Sequence, residues 1–78
     1  MVTVQDMRDF HPFNGRCVVI KNDKGELITG PLEALCYVGK TRGSIGKAYV
    51  GYRKRNGLRG HMGIHVFPGK TQIDLMNI

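Results

Sequence analysis

The chain has no run of apolar residues approaching the ~18 that a membrane span needs, and its start, MVTVQDMRDF, lacks a basic leader. Those absences argue against a transmembrane helix and an export signal, so a soluble, cytoplasmic protein is expected. Low-complexity tracts are also missing, and at 41% hydrophobic and 23% charged the composition is that of a folded chain. Cysteine is scarce, with only Cys17 and Cys36. Without an export signal a disulfide is disfavoured, and both cysteines lie in apolar runs (RCVVI, ALCYV), so two buried or partly buried thiols are expected. Neither CxxC nor HExxH occurs. His61 and His65 would share one face of a strand, but further metal ligands would have to come from distant cysteines or from His11. No metal and no cofactor are expected.

Catalytic signatures are equally thin. The stretch GKTRGSIGKA, Gly39 to Ala48, has the look of a phosphate-cradling loop, but counting back from Gly46-Lys47 puts the required first glycine on Thr41 and the required hydroxyl on Ala48. It fails as a nucleotide-triphosphate site at both ends. His11, His61 and His65 are the natural bases near neutral pH, and cysteines buried in apolar strands make poor nucleophiles. The chain is not read as an enzyme.

What is present is a dense series of β-strand and turn signals. With 78 residues the chain makes one domain that buries about 60–65% of the surface its unfolded form exposes. Thr3 and Asp6 are spaced as a capping box, and Val4, Met7 and Phe10 recur at helical spacing. A short helix is therefore expected in residues 1–12, ending before His11-Pro12. GRCVVIKN, the turn DKGE and LITGPLEALCYV read as a first hairpin over 15–38, with a bend at Gly30-Pro31. Residues 39–47 read as a basic, glycine-rich loop. AYVGYRKRNGLRGHMGIHVF reads as a second hairpin over 48–67 about a two-residue Asn56-Gly57 turn, and QIDLMNI (72–78) as a closing strand apolar on both faces. Such a strand should be covered, or else become an oligomer contact. Five short strands, one strongly bent, predict a mainly β fold, a small and highly curved five-stranded barrel with a short N-terminal helix.

In pattern, most of the chain resembles the Sm-like small barrels, and more loosely the Src homology 3-like ones. The resemblance rests on FNGRCVVIKNDKGELITGPLEAL, with its glycine for a sharp bend, and on the closing IHVFPGKTQIDLMNI. It implies a curved barrel, RNA as ligand, and ring assembly through edge strands. Pro68 stands where the family carries an RNA-contacting arginine before Gly69, and the acidic-x-aromatic-Asn signature has no counterpart between Ala34 and Val50. The family's uridine site is therefore not carried over.

Charge supplies the functional signal. From Ala34 through Ile73 there are eight basic residues and no acidic one, whereas the rest of the chain has four basic and six acidic. YRKRNGLRGH gathers Arg53, Lys54, Arg55 and Arg59 about a turn, with Tyr52 beside them. Strand alternation places Arg53 and Arg55 on one face and Tyr52 and Lys54 on the other. Lys40, Arg42 and Lys47 add to this from the preceding loop. Phosphate-tracking cations next to a stacking tyrosine fit nucleic-acid binding, RNA more than DNA, through the backbone and with limited sequence specificity. The same basic hairpin also suits docking on an acidic protein surface, as in an accessory or regulatory protein of a virus or mobile element.

Overall fold

The computed structural model describes residues 1–37 and 42–76. Six strands form one antiparallel sheet: β1 (Val2–Thr3), β2 (Cys17–Lys21), β3 (Leu27–Cys36), β4 (Gly46–Arg53), β5 (Arg59–Val66) and β6 (Gln72–Leu75). Their spatial order is β1-β6-β2-β3-β4-β5, and among the described residues no ladder joins β5 back to β1, so the sheet is not closed. The expected count of five is corrected to six. The extra strand is β1, which pairs Val2 with Ile73 and Thr3 with Gln72.

That pairing also changes the reading of the N-terminus. Thr3 lies in β1 and caps nothing. The capping box is Asp6 with Asp9, opening a 3₁₀ segment, Met7–Phe13, that runs through Pro12. Its turns are closed by Asp9 N–H donating to Asp6 O at 3.0 Å and Asn14 N–H to His11 O at 3.2 Å, and neither asks for the N–H that proline lacks. The Arg8 backbone N–H donating to Asp6 holds that carboxyl below its ordinary range. The resulting stabilisation is present above the ordinary carboxylate pKa and is lost as pH falls through the lowered one.

β3 is the strand on which the sheet turns. Its first half, Leu27 to Pro31, pairs with β2, while Leu32 to Cys36 pairs with β4, with a bulge between Leu32 and Ala34. The handover, between Pro31 and Leu32, follows Gly30, whose φ of +151° suits glycine. A Cβ there would run into the Gly51 carbonyl oxygen and would stand 2.7 Å from a Val50 methyl. The bend expected at Gly30-Pro31 corresponds to a positive-φ glycine near the end of the β2 ladder, followed by the bulge between Leu32 and Ala34.

Both hairpins close by the same device. Asn22 N–H donates to Glu26 O and Gly25 N–H to Asn22 O, each at 3.0 Å. Lys54 N–H donates to Leu58 O at 2.7 Å and Gly57 N–H to Lys54 O at 3.0 Å. Gly25 and Gly57 both sit at φ +83°. This is a three-residue loop ending in a left-handed glycine, so the expected two-residue Asn56-Gly57 turn is corrected. A two-residue type I′ turn needs positive φ at Asn as well as Gly, and Asn56 is not among the positive-φ residues.

The core gathers Val4, Met7 and Phe10 from the N-terminal arm with Val18, Ile20, Leu32, Ala48, Val50, Ile64, Val66 and Ile73 from the sheet. Alternation decides who faces it. In β2, Val18 and Ile20 point inward, which turns Cys17 outward, so Cys17 is exposed rather than buried while Cys36 is half-buried. Ile73 is likewise interior, and β6 is paired on both sides, by β1 and β2. The part of the closing strand at 77–78 lies outside the described residues. Val4 ties the arm to the β5–β6 turn, donating to Thr71 O at 2.8 Å and accepting from Gly69 N–H at 2.9 Å. No described helix is long and apolar enough to cross a membrane.

Phe10→Ala should lower unfolding free energy in urea by about 3–5 kcal/mol, because it empties a fully buried site. Gly30→Ala should cost roughly 2–5 kcal/mol from backbone strain and overlap together. A Gly30→Ala loss below about 1 kcal/mol would mean that β3 does not cross β4 this closely.

Candidate functional site

β4 and β5 pair without interruption from Gly46↔Val66 to Arg53↔Arg59, and beyond Val50, where the β3 ladder ends, they continue as a two-stranded arm. Two tyrosines brace it. A Cβ on Gly63 would stand 3.0 Å from the Tyr49 ring, and one on Gly60 would stand 2.7 Å from Tyr52, so each ring fills the space over a cross-strand glycine. Tyr52 stays 44% exposed in this position. Its ring is held by packing and still presents surface to a ligand.

The charges at the tip have a definite arrangement. Arg53 and Arg59 are direct cross-strand partners, an unfavourable pairing of like charges. Together with Tyr52, Gly51 and Pro31 they line a cleft of about 320 Å³. Lys54 lies beside Tyr52 over Gly60, as strand alternation predicts, whereas Arg55 belongs to the turn and so leaves the face assigned to it with Arg53. Arg53, Lys54 and Arg55 are all exposed, and among the described residues none of the three forms an ion pair.

Arg59 differs, because an acid reaches it. In the bulge of β3 the register passes from Leu32↔Val50 to Ala34↔Tyr49, leaving Glu33 as the unpaired extra residue. Its carboxylate lies over Gly51, where any side chain would collide with it. One oxygen pairs with Arg59 Nη2, and the other is 2.6 Å from His61 Nδ1. Forty residues without an acid in sequence are therefore not forty residues without an acid in space.

The remaining expected cations do not join the tip. Lys47 belongs to β4 rather than to the loop, because that strand already begins at Gly46. It is half-buried between His65 of β5 and Cys36 of β3. Arg42 is exposed in a turn with the left-handed φ of +55°. Lys40 lies outside the described residues. His61 and His65 do share a face, but their neighbours differ, since His65 Nδ1 lies 3.5 Å from Ser44 Oγ. Among the described residues no three potential ligands converge on a metal position.

Glu33 and Tyr37 escaped the sequence reading, and so did the partner of His61. Glu33 and His61 meet only through the bulge. Tyr37, exposed, meets His11 with its hydroxyl 2.5 Å from His11 Nε2, through a packing of the N-terminal arm that no local pattern announces.

Gly51→Ala should be milder than Gly30→Ala, because the new methyl meets the mobile end of Glu33 rather than backbone. A destabilisation of about 1 kcal/mol or less in urea is expected, consistent with the small contribution of exposed ion pairs. Equal losses at the two glycines would show that Glu33 is held rigidly.

Comparison with known proteins supplies no further guide, because no family model, curated protein or solved structure matches the chain.

Proposed function

We propose that the protein binds nucleic acid, RNA in preference to DNA, through backbone phosphates at the β4–β5 hairpin, as a small curved β domain of the Sm-like or Src homology 3-like kind. The observation that carries this reading is the hairpin tip. Arg53, Lys54 and Arg55 stand exposed, with no ion-pair partner among the described residues, on a hairpin whose Tyr52 ring is preset by its packing on Gly60. Cations of this kind follow a phosphate backbone, and an aromatic face accepts any unpaired base, which favours single strands and limits sequence discrimination. The resemblance to Sm-like barrels agrees with RNA. No step of the reading uses catalysis.

Oligomerisation through edge strands is a separate part of the proposal. Of the two edge strands, β5 with eight residues offers a longer outer edge than β1 with two, so it is the one to which this falls. Size exclusion with light scattering measures it directly.

Fluorescence anisotropy with labelled single-stranded RNA, single-stranded DNA and duplex DNA tests the main reading. If about four phosphates are neutralised, log K for the single strands should fall with log salt at a slope of roughly −3. Replacing Arg53, Lys54 and Arg55 together by Ala should remove most of the affinity and reduce the slope by about 2, with thermal unfolding nearly unchanged. Unchanged binding in that variant would reject the hairpin as the interface. Absence of binding by the parent protein at low salt would point instead to an acidic protein partner.

A further inference from the structure

The proposed function does not use the Glu33 arrangement, which opposes it. A carboxylate paired with one of the two arginines that line a basic cleft repels phosphate and occupies that arginine. Its position depends on three independent features of the fold. A bulge supplies the extra residue, Gly51 leaves space for the carboxylate, and His61, the direct cross-strand partner of Gly51, stands at its second oxygen. Opposite, Arg53 and Arg59 are held in register although like charges in that position repel. Two guanidiniums facing one cleft can bind a phosphate by parallel N–H···O contacts, and a phosphate between them relieves their repulsion.

We propose that the Arg53–Arg59 cleft is a phosphate site for which Glu33 competes, with His61 as the group that receives Glu33 when a phosphate takes Arg59. This rests on the nucleic-acid reading and adds a regulatory element to it. In the free protein Glu33 satisfies Arg59. When a phosphodiester enters, the Arg59 guanidinium exchanges carboxylate for phosphate, and Glu33 retains the 2.6 Å contact with His61. A proton on His61 compensates the carboxylate that Arg59 has released, so binding is favoured where imidazole is protonated. The charged groups around His61 among the described residues are Glu33 from β3, Arg53 across the hairpin on β4 and Arg59 on its own strand. Glu33, 19% exposed, is accessible enough for the exchange. Tyr52 packs over Gly60 on the other face of the hairpin, beside Lys54, where a base further along the same strand would stack.

The test is anisotropy of a labelled oligouridylate of about a dozen nucleotides, long enough to exceed one site, at pH 8 and pH 5.5. The parent protein and the variants Glu33→Gln, His61→Gln and Glu33→Gln/Arg59→Gln are compared, with Asp74→Asn as a control that removes a carboxylate on β6, three strands away from β4. Thermal unfolding verifies each fold. Glu33→Gln should tighten binding at pH 8 by about fivefold, the effect of one unit charge at ~4 Å in water. Asp74→Asn should change it by less than about twofold, because its charge is distant and screened. His61→Gln should lose most of the gain seen on acidification in the parent protein, and Arg59→Gln should cancel the gain from Glu33→Gln.

Equal effects of Glu33→Gln and Asp74→Asn would overturn the competition while leaving nucleic-acid binding intact. An undiminished pH response in His61→Gln would remove the histidine from the scheme. Binding by Glu33→Gln alone would support the competition in its strongest form. If neither parent nor variants bind, the nucleic-acid reading falls and the phosphate site with it. Polyglutamate binding that follows the same variant pattern would reassign the cleft to acidic protein side chains.

Discussion

The crossing of β3 and β4 at Gly30 and Gly51 is the contact on which the rest of this structure depends. A side chain at either glycine would occupy space already taken, by backbone at Gly30 and by the Glu33 carboxylate at Gly51. Because the strands meet this closely, β3 can pair with β2 along its first half and with β4 along its second, so one strand unites the sheet around a single core. The bulge that follows absorbs the change of direction, and its extra residue is Glu33. The chemistry of the basic cleft is thus a consequence of how the sheet bends.

The β4–β5 hairpin carries two tendencies that oppose each other. Stacking Arg53 on Arg59 and surrounding them with Lys54 and Arg55 weakens the tip electrostatically, and glycines at 60 and 63 weaken β5 further. Cross-strand packing of Tyr49 on Gly63 and Tyr52 on Gly60 offsets this by covering bare backbone. The result is a braced arm whose Arg53, Lys54 and Arg55 have no ion-pair partner among the described residues. A polyanion would supply a counter-charge, and for that reason the tip rather than the body of the sheet is the proposed interface.

The N-terminal arm shows how a small chain enlarges its core. Val4, Met7 and Phe10 contribute three of the eleven buried apolar residues, and β1 adds a strand along β6. Val4 also fastens the Phe67–Thr71 turn through two backbone hydrogen bonds, and the Thr71 hydroxyl accepts from Phe67 N–H at 3.0 Å within it. A segment that reads as a peripheral helix is in this way part of the sheet and of its core.

Local signals in the sequence determined the β character, the places of both hairpins, the glycine-dependent geometry at Gly30 and the concentration of cations at 53–55. These follow from alternation, turn chemistry and charge counts, which need no knowledge of distant neighbours. Only the tertiary structure decided which residues each strand met. Pairing with Ile73 made a strand of Val2–Thr3, inward-facing Val18 and Ile20 turned Cys17 out, and early pairing at Gly46 drew Lys47 from the loop into β4. Above all, the bulge laid Glu33 over Gly51 against Arg59 and His61, residues 26 and 28 positions further along the chain. The physical reason is that register between strands is set by the summed packing of the whole sheet, and one extra residue in a single strand moves a charge from one environment to another without changing any local pattern.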